Sequence, residues 1–152
     1  MNATKEIPHQ TTKIATHVFD DVKVNVKVKL SALWVTLMLF YIYADILGFY
    51  TPGVIEKVVS GEIGGVQITE SFLFVMAIWM AIPSLMVCLS LALKASLNRW
   101  LNIIAALVSL LALGATFFVG DFSARYTLQA IIEGVLMAWI VWQAWTWPRT
   151  EA

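Results

Sequence analysis

The sequence predicts an all-α, integral membrane four-helix bundle with both termini cytoplasmic and a short interfacial helix between spans one and two. Three observations carry this. Sixty per cent of the 152 residues are hydrophobic and thirteen per cent are charged, against about 25% charged in an ordinary soluble domain. A domain of this size has too much surface to hide that deficit in one soluble core. Four segments reach the roughly 20 apolar residues that a ~30 Å hydrocarbon layer requires. The basic residues also gather on one side of those segments, as topology demands.

Residues 1–29 read as a cytoplasmic tail and basic arm. Residues 1–20 are polar and carry both histidines, His9 and His17. They lack the apolar core of a cleavable signal peptide, so the first span is expected to serve as an uncleaved anchor. The run "VKVNVKVKL", 22–30, alternates with the period of a strand. A lone strand has no stability. It would pair with a second copy or lie as an extended arm on anionic headgroups; the arm is preferred.

The four-span domain covers 30–147, with spans near 30–49, 71–93, 101–119 and 126–145, and a cytoplasmic tail follows at 148–152. In the insert, Thr51 and Pro52 suit the start of a helix. Val54, Ile55, Val58 and Val59 would share its apolar face, and Gly61 would end it. The alternative is a plain loop. "GEIGG" is followed by no Lys-Ser or Lys-Thr, so it is no phosphate loop. In span two, Ala77, Ala81, Ser84 and Cys88 form a stripe of small residues. In span three, Asn102, Ala105, Ser109, Ala112 and Thr116 form another. Such stripes let helices approach closely in lipid. Spans two and three, joined by a turn over 94–100, are expected to form a tight antiparallel pair. Pro83 should kink span two. Cys88, the single cysteine, permits no intramolecular disulfide and reads as a small buried packing residue.

With the N-terminus inside, Lys5, Lys13, Lys23, Lys27, Lys29, Lys94, Arg99 and Arg149 are cytoplasmic, and only Lys57 and Arg125 are outside. Trp100, Trp142, Trp145 and Trp147 then sit at the inner headgroup level, and Phe49, Tyr50, Phe122 and Tyr126 at the outer one.

Two acids break the apolar pattern. Asp45 stands inside "FYIYADILGFY", 40–50, about 6 Å below the outer surface, and Glu133 lies roughly 10 Å below it in span four. A charge at bilayer centre costs about 2.5–3.5 kcal/mol on insertion scales, so each acid requires a partner or a purpose. Tyr41 lies one turn from Asp45. Gln129 lies one turn from Glu133, and Tyr126 two turns. Arg125, at the outer mouth of span four, is placed to reach one carboxylate. A structural reading has these groups lock helix packing. A functional one makes them an outward-facing pocket that binds or transports a small solute or ion. Catalysis by the acid pair is a third. The spans hold no histidine, no metal-ligand spacing and no serine–histidine set, which argues against an enzyme. No cofactor is indicated and no small-molecule ligand can be named. The few basic residues are accounted for by topology, which excludes nucleic acid.

The stretch "YIYADILGFYTPG", 41–53, preceded by "VKLSALWVTLMLFYIYAD", resembles an uncharacterised family of small prokaryotic four-span membrane proteins, a domain of unknown function. The likeness runs from about Val22 to the C-terminus. It implies a location in the plasma (inner) membrane and no particular activity. A bundle this small leaves little room for an internal pathway. A homo-oligomer, or a non-enzymatic accessory or scaffold role in a larger membrane complex, is therefore the competing expectation.

Overall fold

The computed structural model describes residues 22–116 and 123–148. The expectations for 1–21, 117–122 and 149–152, including those for His9, His17, Phe122 and Arg149, lie outside the described residues. The elements are α1 (Val26–Phe49), α2 (Val54–Val59), β1 (Glu62–Ile63), β2 (Val66–Gln67), α3 (Glu70–Ala92), α4 (Ala95–Thr116) and α5 (Ala124–Trp145). The all-α bundle is borne out. Its four long helices are each apolar and long enough to cross a membrane. Their outward surface displays Leu39, Ile42, Phe74, Leu111, Ile131 and Val135. A continuous apolar exterior of this kind suits lipid rather than water.

Helix α1 begins earlier than its alternating sequence suggests. Asn25 is extended, and its side chain accepts a hydrogen bond from the Lys27 amide at 2.9 Å. That N-cap converts the second half of "VKVNVKVKL" into helix, so among the described residues the arm shrinks to 22–25. Lys27 then reaches across to α3 and donates to the carbonyls of Leu93 at 2.6 Å and Leu91 at 3.3 Å. A cation on the last carbonyls of a helix satisfies orphan acceptors and opposes the negative end of its dipole.

The insert differs from expectation in its start. Gly53, at φ +80°, precedes α2, which has no side-chain cap. Val54 and Val58 are half-buried, whereas Ile55 and Val59 are exposed. After Gly61, at φ +85°, a two-stranded antiparallel hairpin pairs Glu62 with Gln67 and Ile63 with Val66. Gly64 and Gly65 both take positive φ, as a two-residue hairpin turn of the I′ type requires.

In the bundle α1 packs mainly on α3 and α5, and α4 mainly on α5, with a slighter α3–α4 contact. The expected tight pairing of spans two and three is thus corrected. The supposed 94–100 turn is mostly the first turn and a half of α4, and the α3–α4 connection is Leu93–Lys94. The α3 stripe also faces the wrong way: Ala77, Ser84 and Cys88 are exposed, and Pro83, Met86 and Ser90 face inward. Cys88 is therefore no buried packing residue. Periodicity finds a stripe, but polar partners decide which face turns in. On α4 three of the stripe's five residues, Asn102, Ala105 and Ser109, are buried and Ala112 is half-buried, while the side chain of Thr116 lies outside the described residues. Helix α3 runs unbroken through Pro83.

The core gathers Leu30, Trp34 and Leu37 of α1 with Met86, Ile103, Ala106, Met137 and Ile140. At the end of the bundle where α1 starts, the tail end, it contains a polar network. Asn102 Oδ1 accepts from Trp34 Nε1 at 2.7 Å and Ser90 Oγ at 3.1 Å. Asn102 Nδ2 donates to the Asn98 carbonyl at 2.9 Å and to Asn98 Oδ1 at 2.6 Å. Asn98 Nδ2 donates in turn to the Ser90 carbonyl. Asn102 thereby uses both donors and both acceptor sites of its amide. Nearby, Ser31 Oγ donates to the Val87 carbonyl at 2.9 Å. Arg99 lies between the rings of Trp145, at 5.2 Å, and Trp100, at 5.8 Å, linking α4 to α5.

Candidate functional site

At the opposite end, beneath the insert, the four long helices part around a cavity of about 190 Å³. Each wall follows from helix register. Asp45 and Tyr41 are one turn apart on the last turns of α1. Gln129 and Glu133 are one turn apart near the start of α5, which Ser123 caps by accepting from the Tyr126 amide at 3.2 Å. Trp79 lies nine residues into α3 and Glu133 nine residues into α5, so both sit roughly 13 Å along helices that start at the same end. Ser109 comes from α4 at a comparable level.

Five of the six residues expected at the site line this one cavity: Asp45, Glu133, Tyr41, Gln129 and Tyr126. Asp45 is exposed, so it stands at the rim. Glu133 is only 5% exposed and forms part of the deep wall. Gln129 Nε2 donates to Glu133 Oε1 at 3.0 Å and fixes the carboxyl. Among the described residues this is the hydrogen bond made to Glu133, which leaves its second oxygen for an incoming group. Tyr41 and Tyr126 are half-buried.

Arg125 departs from expectation. It does not line the cavity, and among the described residues it forms no ion pair with either acid. Its Nη1 lies 3.5 Å from the Ala44 carbonyl, at the limit of a hydrogen bond. The reason is position. Arg125 is the second residue of α5, two turns from Glu133, so its side chain is held at the mouth beside the end of α1. There it lines a separate cavity of about 330 Å³ against the insert, shared with Lys57, Glu62 and Tyr126.

Two lining residues escape a reading of the sequence. Trp79 is an aromatic residue in an apolar span and carries no signal until its depth is matched with that of Glu133. Ser109 reads as a packing residue, and it is one, since it is 5% exposed. Asn98 and Ser90, in the tail-end network, also escape, because Asn98 falls within the expected turn. Among the described residues no group of three His, Cys, Asp or Glu side chains is placed to hold a metal ion.

The acids thus line one space, and among the described residues no cationic side chain lines it. Such a wall is complementary to positive charge. A model described as a family of unknown function, DUF6326, matches residues 17–152. No curated protein matches the chain, and no solved structure does.

Proposed function

The chain belongs to the DUF6326 family, whose function is unknown, and from that premise we propose that it is a multi-pass membrane protein that binds a small cationic solute in the cavity of Asp45 and Glu133. One observation carries the reading: two carboxyl groups share a cavity to whose lining the described residues contribute no counter-charge. Acids within a membrane span are costly and mark ion or substrate sites when they face a cavity. Glu133 supplies the deep acceptor, Gln129 orients it, and Asp45 acts as the outer acceptor. Tyr41 and Tyr126 complete the wall beside the acids.

The basic residues favour a plasma membrane topology with the tail end cytoplasmic, since Lys23, Lys27, Lys29, Lys94 and Arg99 cluster there and only Lys57 and Arg125 flank the insert. In this orientation the cavity opens to the outside. The asparagine network packs the bundle on the other side. The chain is accordingly a binder in this conformation, and passage through it requires that network to open.

A ligand that binds the folded state alone stabilises it, by about 2.7 kcal/mol at one hundred times its Kd. In lipid nanodiscs, a panel of monovalent cations at constant ionic strength is expected to raise the unfolding temperature of the wild type. Asp45→Asn combined with Glu133→Gln is expected to remove that response. The reading fails if no cation stabilises the wild type, or if the folded double variant responds as the wild type does.

A further inference from the structure

The chemistry of the remaining wall narrows the ligand class, on the premise that the acidic cavity is a cation site. Three aromatic side chains, Tyr41, Trp79 and Tyr126, line the same cavity as the two acids. Met80, Ala112 and Leu113 line it too. A hydrated alkali ion gains nothing from such a wall, because stripping its water needs many oxygen ligands. A divalent ion needs six or more oxygens in a defined shell, and the described residues offer no cluster of three metal-binding side chains. An ammonium bearing methyl groups has the opposite requirements. It is weakly hydrated, its charge is attracted to aromatic faces, most strongly to tryptophan, and its methyl groups gain from apolar contact.

Size points the same way. Water occupies roughly 30 Å³ in the liquid, so about 190 Å³ accommodates a handful of heavy atoms. Drug-sized ligands occupy pockets of about 300–1,000 Å³ and are too large. We infer that the cavity is a site for a small methylated or alkyl ammonium ion, held by Glu133 and Asp45 and walled by Trp79, Tyr41 and Tyr126. The ligand enters as a cation past Asp45 at the rim. Its nitrogen settles near the open oxygen of Glu133, and its carbon substituents lie against the aromatic and apolar wall.

The test is equilibrium dialysis of radiolabelled tetramethylammonium against the full chain in lipid nanodiscs, with potassium as competitor. The expected result is saturable one-to-one binding that potassium at equal concentration displaces poorly. Glu133→Gln should abolish it. Trp79→Leu should weaken it about thirtyfold, the worth of a desolvated cation–aromatic contact. Trp139→Leu, at an exposed tryptophan away from this cavity, should leave it unchanged. If potassium or sodium binds with the same dependence on Glu133 while tetramethylammonium does not, or if Trp79→Leu and Trp139→Leu behave alike, the ammonium class is wrong and the cation site stands. If tetramethylammonium binds equally well after both acids are neutralised, or if neither ion binds the wild type, the ligand class and the cation site fail together.

Discussion

The two ends of the bundle handle buried polarity in opposite ways. At the tail end, Trp34, Ser90, Asn98 and Asn102 spend their hydrogen-bonding groups on one another, and Lys27 closes the carbonyls of α3. At the insert end, Glu133 takes one bond from Gln129 and otherwise faces a cavity that it shares with Asp45. The bonds among the four tail-end side chains fix which helix faces meet, although Arg99 Nε at the same end is buried with no hydrogen-bond partner among the described residues. Polarity left open within lipid has a continuing cost, and a ligand can remove it. On the proposed reading, the tail end is structural and the insert end is the binding site.

The sharpest way to break this comparison is Asn102→Leu. It strips partners from Trp34 Nε1, Ser90 Oγ and Asn98 in a fully buried setting. The expected loss is about 3 kcal/mol, read as a shift in denaturant unfolding from mixed micelles. A loss below ~0.5 kcal/mol would show that the network is not what holds this end. Next comes Lys27→Met, which keeps the stem but removes the cap on Leu91 and Leu93. About 1 kcal/mol should be lost, and amide exchange at the end of α3 should quicken. Ser31→Ala removes the bond to the Val87 carbonyl. It should cost about 0.6 kcal/mol, the average measured for hydrogen bonds within membranes. The smallest effect on folding is expected at the open end. Glu133→Gln preserves shape and an acceptor for Gln129 and removes a costly acid, so stability in the absence of ligand should be unchanged or slightly raised. A Glu133→Gln loss as large as that of Asn102→Leu would make the acidic end structural too.

Much of this was legible in the sequence, for definite reasons. A run of ~20 apolar residues has one stable solution in lipid, so all four long helices were found, with α1 and α4 starting four and six residues before their expected bounds. Asp45 and Glu133 stand out because charge is rare in such runs; turn spacing put Gln129 beside Glu133, where it bonds, and Tyr41 beside Asp45, with which it shares a cavity lining. What failed was rotation and reach. The small residues of α3 advertise a packing face, but Ser90 bonds to Asn102 and turns the other side inward. Arg125 has the length to meet a carboxylate, yet its place at the start of α5 holds it beside Ala44. Trp79 could not be placed because nothing in its own helix records what stands at the same depth in α5. The hairpin was missed although Gly64–Gly65 carries its signal, since strands of two residues leave almost no periodic pattern.

The long-range bonds of α1 bear on how the chain is made. Lys27, Ser31 and Trp34 find their partners 56 to 68 residues further along. In a chain made from its N-terminus, α1 is therefore complete while the acceptors of its three donors, in α3, just after it and in α4, have still to be added.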